Sequence, residues 1–264
     1  MNRDTFHTEL VDVLESMGPV AVAVSGGIDS LTLAAVSHAV FGNDFVAFHA
    51  VSAAVPPRAT ERIARLANRF GWPLQVVDAG EFENDRYLAN EVNRCYHCKS
   101  SLYGRIAEST ELQIVSGANT DDLRDFRPGL AAAAERSVRH PFVEAGISKD
   151  GIRAIAREVG LGSIAEIPAA PCLASRLETG ITVTPTRLRF VDEVEELARE
   201  LLSPDTVRCR VFAERIEIQL DPVTLDSLHE DAAAKLTDYV AGREQRPVAF
   251  TPYRMGSAVV HQNG

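Results

Sequence analysis

The stretch Val20-Ala-Val-Ala-Val24-Ser-Gly-Gly-Ile-Asp-Ser30 decides how the rest of the chain is read. Five small or β-branched apolar residues in a row predict a buried strand. Gly26 and Gly27 then permit a turn that side chains would obstruct. From Ser30 onward, Leu31, Leu33, Ala34, Val36 and Val40 recur at helical spacing as far as Gly42. A strand that turns through glycines into a helix aims backbone N–H groups at the strand's carboxyl end, where they attract anions. The turn is therefore expected to hold the phosphates of a nucleotide.

Outward from this stretch, apolar runs and helical repeats alternate. Residues 5–17 predict a short amphipathic helix. Strands are expected at Phe45–Val51, Leu74–Val77 and Leu112–Val115, with helices at Arg58–Phe70 and Asn90–Ser109 between them. Such alternation predicts an α/β fold with a doubly wound parallel sheet. Ligands of such sheets lie at the carboxyl ends of the strands, where the winding reverses. If the first strand lies beside the fourth, the glycine turn faces the loop Gly117-Ala-Asn-Thr-Asp-Asp122 across a nucleotide crevice. A helix over Lys149–Val159 stops at Gly160. Residues 162–182 then lack apolar periodicity and include Pro168, Pro171 and Gly180, a loop long enough to suggest function. Beyond it the pattern changes to a helix at Thr186–Leu202, strands at Thr206–Phe212 and Arg215–Leu220, a helix over 223–241 and a strand at Val248–Thr251. Two domains are expected, 1–182 and a smaller α+β domain at 183–264.

The formal net charge of −10 argues against a broad nucleic-acid surface, though not against a local basic patch. No apolar run approaches the roughly 18–20 residues of a membrane span. The first residues lack the apolar core of a signal peptide, so a cytoplasmic location is expected. In that compartment the four cysteines, Cys95, Cys98, Cys172 and Cys209, suggest metal binding, catalysis or burial rather than disulfides.

The turn at Ser25–Ser30 lacks the Gly-Lys-Ser/Thr of a Walker A loop. Ser25, Gly26, Gly27 and Ser30 can still hold pyrophosphate without a lysine. Asp29 would repel that anion, so it is expected to cap the helix or hold magnesium. Asn and Asp at a strand end often only form turns. Opposite the glycine turn, however, Asp121 and Asp122 can hold the nucleotide's magnesium, and Gly117 leaves room for adenine. Arg94-Cys95-Tyr96-His97-Cys98-Lys99 contains a CxxC pair open to three readings: a redox pair, half of a zinc site with His97, or part of an iron–sulfur site. Cys172 lies in the irregular loop, and two local thiols with a remote third suit a three-thiolate 4Fe–4S site. Cys209 falls inside a strand and reads as core. Strand alternation sets Arg208 and Arg210 on one face, as either a phosphate clamp or a solvated surface. Glu196 and Glu217 carry no signal of their own among 37 acidic residues.

The glycine turn resembles that of the PP-loop ATP pyrophosphatases. Taken with Arg94–Lys99, Gly117–Asp122, Arg127-Pro-Gly129 and Cys172-Leu-Ala-Ser-Arg176, nearly the whole chain resembles the LarE-type ATP-dependent sulfur transferases. That resemblance implies activation of a carboxylate of pyridinium-3,5-biscarboxylic acid mononucleotide by ATP, with release of pyrophosphate. Sulfur then displaces AMP to give a thiocarboxylate of the nickel-pincer cofactor of lactate racemase. It further implies that Ser25, Gly26, Gly27, Asp29, Ser30, Gly117, Asp121 and Asp122 bind ATP and Mg2+. Cys172 would be the sulfur-donor position, and Cys95, Cys98 and Cys172 would carry a 4Fe–4S cluster loaded from sulfide or another sulfur source. Arg127, Ser175, Arg176, Arg208, Arg210, Glu196 and Glu217 would line the substrate site, and a homo-oligomer is expected. The sequence departs from the family at Leu177-Glu-Thr-Gly180 and Pro252-Tyr-Arg-Met-Gly-Ser257. The rival readings are a PP-loop tRNA thiolase, an NAD-synthetase-like amide-forming ligase, and a metal scaffold that only binds nucleotide.

Overall fold

The computed structural model describes residues 8–124, 127–168 and 171–258. In chain order the elements are α1 (Thr8–Met17), β1 (Val20–Ala23), α2 (Ile28–Phe41), β2 (Val46–Ala50), α3 (Pro57–Phe70) and β3 (Leu74–Val77). They continue with α4 (Asp85–Leu88), α5 (Arg94–Ala107), β4 (Gln113–Ser116), α6 (Pro128–Glu135), α7 (Pro141–Glu144) and α8 (Lys149–Glu158). The last are α9 (Pro185–Leu202), β5 (Val207–Val211), β6 (Ile216–Leu220), α10 (Pro222–Asp226), α11 (Glu230–Ala241) and β7 (Val248–Pro252). They form two compact units, Met1–Asn84 with Cys95–Ala170, and Asp85–Arg94 with Pro171–Gly264.

The first unit is built on a four-stranded parallel sheet in the order β3-β2-β1-β4. β1 is buried along its whole length, with Ala21 opposite Val46 of β2 and Ile114 of β4. Its side chains alternate between two cores. Val20, Val22 and Val24 pack with Leu14 of α1, Leu31 of α2, Ile63 of α3 and Ile155 of α8. Ala21 and Ala23 pack with Phe48, Tyr103 and Ile106 of α5, and Ala133 of α6. Helices thus cover both faces, as parallel sheets require. α2 is apolar on nearly every side, with Ile28 and everything from Ser30 to Ser37 buried, so it is an internal helix rather than a surface one.

The second unit holds a three-stranded sheet in the order β5-β6-β7. β5 and β6 are antiparallel, with Arg210 opposite Glu217 and Cys209 opposite Ile218, whereas β7 runs parallel to β6. Residues 171–182, which the sequence reading assigns to the first domain, hydrogen-bond inside this unit. Glu178 N donates to Val211 O, Thr179 N to Ala258 O and Gly180 N to Asn90 O.

Three predicted elements differ in detail. The helix expected over Asn90–Ser109 starts only at Arg94, because Asn90 takes the left-handed conformation (φ 55°) that Asn tolerates better than most residues. The helix expected over 223–241 is two. Asp221 caps the first by accepting from Thr224 N, and His229 Nδ1 caps the second by accepting from Ala232 N. The loop over 162–182 contains two short 3-10 turns, Gly162–Glu166 and Leu173–Arg176.

Candidate functional site

In the first unit the sequence Val24–Ser30 forms a tight turn at the carboxyl end of β1. Gly26 has a positive φ of 81°, and a Cβ there would meet Ala59 Cβ at 3.0 Å. Ser30 Oγ donates to Gly27 O (3.2 Å) and accepts from Ser25 N (3.1 Å). Its proton is thereby committed, so Ser25 Oγ donates to Ser30 Oγ across 3.3 Å. The N-cap residue of α2, Gly27, has no side chain with which to cap it, and the N–H groups of a first helical turn have no intrahelical partners. It is at this turn that the sequence reading expects an anion to bind.

Three residues that the sequence reading missed brace the turn. Arg62 Nη1 donates to Gly26 O at 2.7 Å. His49 Nδ1 lies 3.0 Å from Val24 O and Nε2 lies 2.9 Å from Thr60 Oγ1. A carbonyl only accepts, so Nδ1 carries the proton and Nε2 accepts from Thr60. Burial lowers the pKa of His49, against the opposing hydrogen bond to Val24, and so favours the neutral ring. The third is Lys149, at the start of α8. Its Nζ lies 2.6 Å from both carboxylate oxygens of Asp29, and its backbone N donates to Asp121 Oδ2 at 2.8 Å. The N-cap of α2 is Gly27, so Asp29 does not cap the helix; its carboxylate accepts from the Lys149 ammonium.

The loop Gly117–Asp122 lies directly on the first turn of α2. A Cβ at Gly117 would sit 2.8 Å from Ser30 N and 2.9 Å from Asp29 C. The missing side chain thus serves the contact between the two loops. Asn119 N donates to Asp122 Oδ2, and Asp121 N donates to Asn119 Oδ1. Asp122 also pairs with Arg127 at 2.7 Å. Asp29, Asp121 and Asp122 all accept from cationic or N–H groups.

Cys95 is exposed and Cys98 half-buried, one turn apart on α5. The Arg127-Pro-Gly129 segment packs against this helix. A Cβ on Gly129 would meet Lys99 Cγ at 3.0 Å, and Tyr96 Oη donates to Glu135 at 2.6 Å. His97 is buried, and among the described residues its Nε2 has no hydrogen-bond partner.

In the second unit Cys172 is half-buried and precedes the turn Leu173–Arg176. Arg176 is fully buried. Its Nε and Nη2 donate to Glu195 Oε1 (2.8 Å) and Oε2 (3.2 Å), and its Nη1 to Pro171 O (2.6 Å), Cys172 O (3.2 Å) and Ser175 Oγ (3.1 Å). Burial opposes both charges of this pair, yet the mutual attraction wins. Arg176 is held above its ordinary pKa and Glu195 below it. Arg208 and Arg210 are also buried rather than presented on a solvated face. Burial first, and repulsion from Arg176 second, bring Arg208 down to about 10. Arg210 donates to Gln219 Oε1, Ser175 O and Arg254 O, which links the Cys172 turn to the sheet.

Beside this network is a cavity of about 300 Å³ whose lining includes Arg215, Glu217, Gln219, Thr251 and Arg254. Glu217 is the substrate candidate that reaches it. It accepts from Arg215, Gln219 and Thr251, and these bonds outweigh burial to lower its pKa. Glu196 is half-exposed and pairs with Arg199 at 2.6 Å. The neighbouring Glu195, absent from the sequence reading, is the buried acid. Its signal was its register in α9, where it shares the apolar side with Leu188, Val191 and Ala198.

Among the described residues none of the four cysteines forms a disulfide, and Cys95, Cys98 and Cys172 are of the thiol type that iron–sulfur clusters take as ligands. Cys95 and Cys98 belong to the first unit and Cys172 to the second. Among the described residues no group of three or more His, Cys, Asp or Glu side chains stands ready to hold a metal ion. No helix among them is long and apolar enough to cross a membrane.

No protein-family model matches the chain. It is 36% identical over 216 residues to an uncharacterized protein of Synechocystis sp., covering 80% of each chain. It is 31% identical over 216 residues to the pyridinium-3,5-bisthiocarboxylic acid mononucleotide synthase of Lactiplantibacillus plantarum, covering 80% of this chain and 78% of that one. An uncharacterized protein of Methanocaldococcus jannaschii is 26% identical over 226 residues, covering 83% and 85%.

Proposed function

Because the chain belongs to the LarE family, we propose that it is a sulfur transferase acting on a pyridinium mononucleotide in nickel-pincer cofactor biosynthesis. The observation that carries this reading is the 31% identity to a synthase named for its bisthiocarboxylic product. The proposed finer step is ATP-dependent. A carboxylate oxygen of pyridinium-3,5-biscarboxylic acid mononucleotide attacks the α-phosphorus of ATP and pyrophosphate leaves. A sulfur nucleophile then attacks the acyl carbon, AMP departs with the former carboxylate oxygen, and a thiocarboxylate remains. Adenylation is needed because an unactivated carboxylate oxygen is a poor leaving group.

The turn Ser25–Ser30 and the bare N-terminus of α2 would bind the phosphates. Asp29, Asp121 and Asp122 would hold the accompanying Mg2+, and Lys149, released from Asp29, would neutralise phosphate charge. Cys172 would be the sulfur-donor position, with Cys95, Cys98 and Cys172 as ligands of a 4Fe–4S cluster. Such a cluster supplies a site from which sulfide is delivered without consuming a protein cysteine. Ser175, Arg208, Arg210, Glu217 and the cavity beside them would receive the substrate, with Arg127 and Glu196 added by family resemblance, whereas Arg176, fully buried on Glu195, would shape the site without touching the substrate. The cytoplasm is the proposed location and a homo-oligomer the proposed assembly.

The deciding experiment measures pyrophosphate release from ATP with and without the biscarboxylate mononucleotide, and identifies the product by mass. Substrate-independent release, or an amide product, rejects the reading. Anaerobic purification with iron, zinc and sulfide analysis of wild type and Cys95→Ala tests the cluster. About four irons per chain, lost in the variant, are expected, and stoichiometric zinc after reconstitution rejects it. A PP-loop tRNA thiolase is the second reading, favoured by one observation: Arg58, Arg65 and Arg69 follow one side of α3. Salt-sensitive tRNA binding with tRNA thiolation would support that alternative.

A further inference from the structure

The two peptide groups that flank the Cys172 Cα are both tied to one side chain. Pro171 O and Cys172 O each accept from Arg176 Nη1, at 2.6 and 3.2 Å. With both carbonyls fixed, the Cα–Cβ direction of Cys172 is fixed as well, and only rotation about χ1 remains to its thiol. Arg176 does not hold its own plane. Its opposite edge is gripped bidentately by Glu195, the arrangement in which guanidinium and carboxylate are most restrained. Glu195 is anchored in turn. Its Oε1 also accepts from Cys209 N in β5 at 3.1 Å, and its Oε2 from Arg199 on its own helix at 2.9 Å. Both residues are fully buried, so no solvent loosens the chain of bonds.

We propose that Glu195 is a positioning residue for Cys172, acting through Arg176 to aim the thiol from the rigid junction of α9 and β5. A buried ion pair is weak support for stability by itself. What this one achieves is orientation: α9 supplies the carboxylate, β5 sets its angle, and the guanidinium carries that orientation to the backbone around Cys172. The inference rests on the reading of Cys172 as the sulfur-bearing residue, and it adds a residue that contacts neither the thiol nor a substrate.

The test compares wild type with Glu195→Gln, which keeps the shape and removes the charge. Two catalytic readouts are followed, substrate-dependent pyrophosphate release and thiocarboxylate formation, together with alkylation of each cysteine by iodoacetamide read by mass spectrometry. Thiocarboxylate formation is expected to slow about tenfold or more while pyrophosphate release stays within about threefold of wild type. Cys172 alkylation is expected to quicken about fivefold as its segment opens locally, with Cys209 still protected as the sign of an intact core. A proportional fall in both catalytic readouts, or unchanged Cys172 alkylation in folded protein, overturns the proposal. If Glu195→Gln does not fold, the paired variant Arg176→Leu with Glu195→Leu removes both buried charges together and is judged by the same alkylation readout. Undiminished sulfur transfer by Cys172→Ala would instead refute the role of Cys172, and the alkylation result would then decide the clamp alone.

Discussion

Lys149 Nζ chelates both carboxylate oxygens of Asp29 at 2.6 Å, joining residues 120 positions apart in the chain. The pair draws the start of α8 onto the first turn of α2, where Asp29 also favours the helix dipole. Both side chains are a little more than one-quarter exposed, so the pair adds no more than about 1 kcal/mol to folding. In the proposed function its larger effect is electrostatic, because phosphates binding at that helix end would compete with Asp29 for the ammonium. Lys149→Gln is therefore expected to raise KM for ATP about tenfold, the worth of one charge-assisted hydrogen bond. Its Tm should drop by only a few degrees. Steady-state pyrophosphate release and a thermal melt check both; an unaltered KM would remove Lys149 from the site.

Gly117 keeps the Gly117–Asp122 loop from colliding with the first turn of α2. The atoms a Cβ would meet at 2.8 and 2.9 Å are backbone, Ser30 N and Asp29 C, and neither can swing away. Gly117→Ala should push the loop from α2, costing about 1–3 kcal/mol of stability and weakening ATP binding. Gly104→Ala is a suitable comparison. It lies inside α5, where the nearest atom is the flexible Arg136 Nη2 at 3.6 Å, so it should gain up to about 1 kcal/mol from helix propensity. Chemical denaturation of the two variants and ATP titration of Gly117→Ala test the contrast. Equal stability of both would show that the loops do not depend on the close approach.

Two histidines predict how stability varies with pH. His49 and His140 are both lowered from 6.5, chiefly by burial. Between the folded values and about pH 6.5 the unfolded chain binds more protons than the folded one, so stability rises with pH in that window. It falls as pH drops from about 7 towards 5, by at most about 1.4 kcal/mol per pH unit for each histidine. His49→Asn keeps a donor for Val24 O but cannot titrate, and it should flatten part of this slope; His140→Asn should flatten the rest. Melting curves across the window provide the check, and a slope that survives both substitutions would mean other groups control it.

Much of the first unit was legible in the sequence because its signals are local. Each strand is a short apolar run closed by a polar or glycine-bearing turn, and the expected neighbourhood of β1 and β4 is what the sheet order shows. The site was legible only where a motif is contiguous. Lys149 was hidden because nothing in its own segment reveals that it meets Asp29. Glu195 and Glu196 are adjacent glutamates, and only the helical register of α9 separates the buried acid from the exposed one. Arg208 and Arg210 follow strand alternation, but their burial comes from what packs over β5, which no period-two pattern encodes.

The four cysteines differ in environment, and that difference yields a prediction independent of any substrate. Reaction with an alkylating agent needs access and a thiolate. Cys95 is exposed and Cys98 and Cys172 are half-buried, so each can meet the reagent in the folded, metal-free protein. Cys209 cannot. It is fully buried, and burial, reinforced by the nearby Glu195 carboxylate, pushes its thiol far above the ordinary 9.0. Its backbone N is bound to that same carboxylate, so the residue opens only when the junction of α9 and β5 does. Native alkylation is expected to modify three cysteines and to reach Cys209 only at the rate of global unfolding. Cys209→Ser, which places a hydroxyl in an apolar strand interior, should cost about 1–3 kcal/mol without altering the iron bound after anaerobic reconstitution. Rapid native labelling of Cys209, or iron loss in Cys209→Ser, would make it part of the metal chemistry instead of the core.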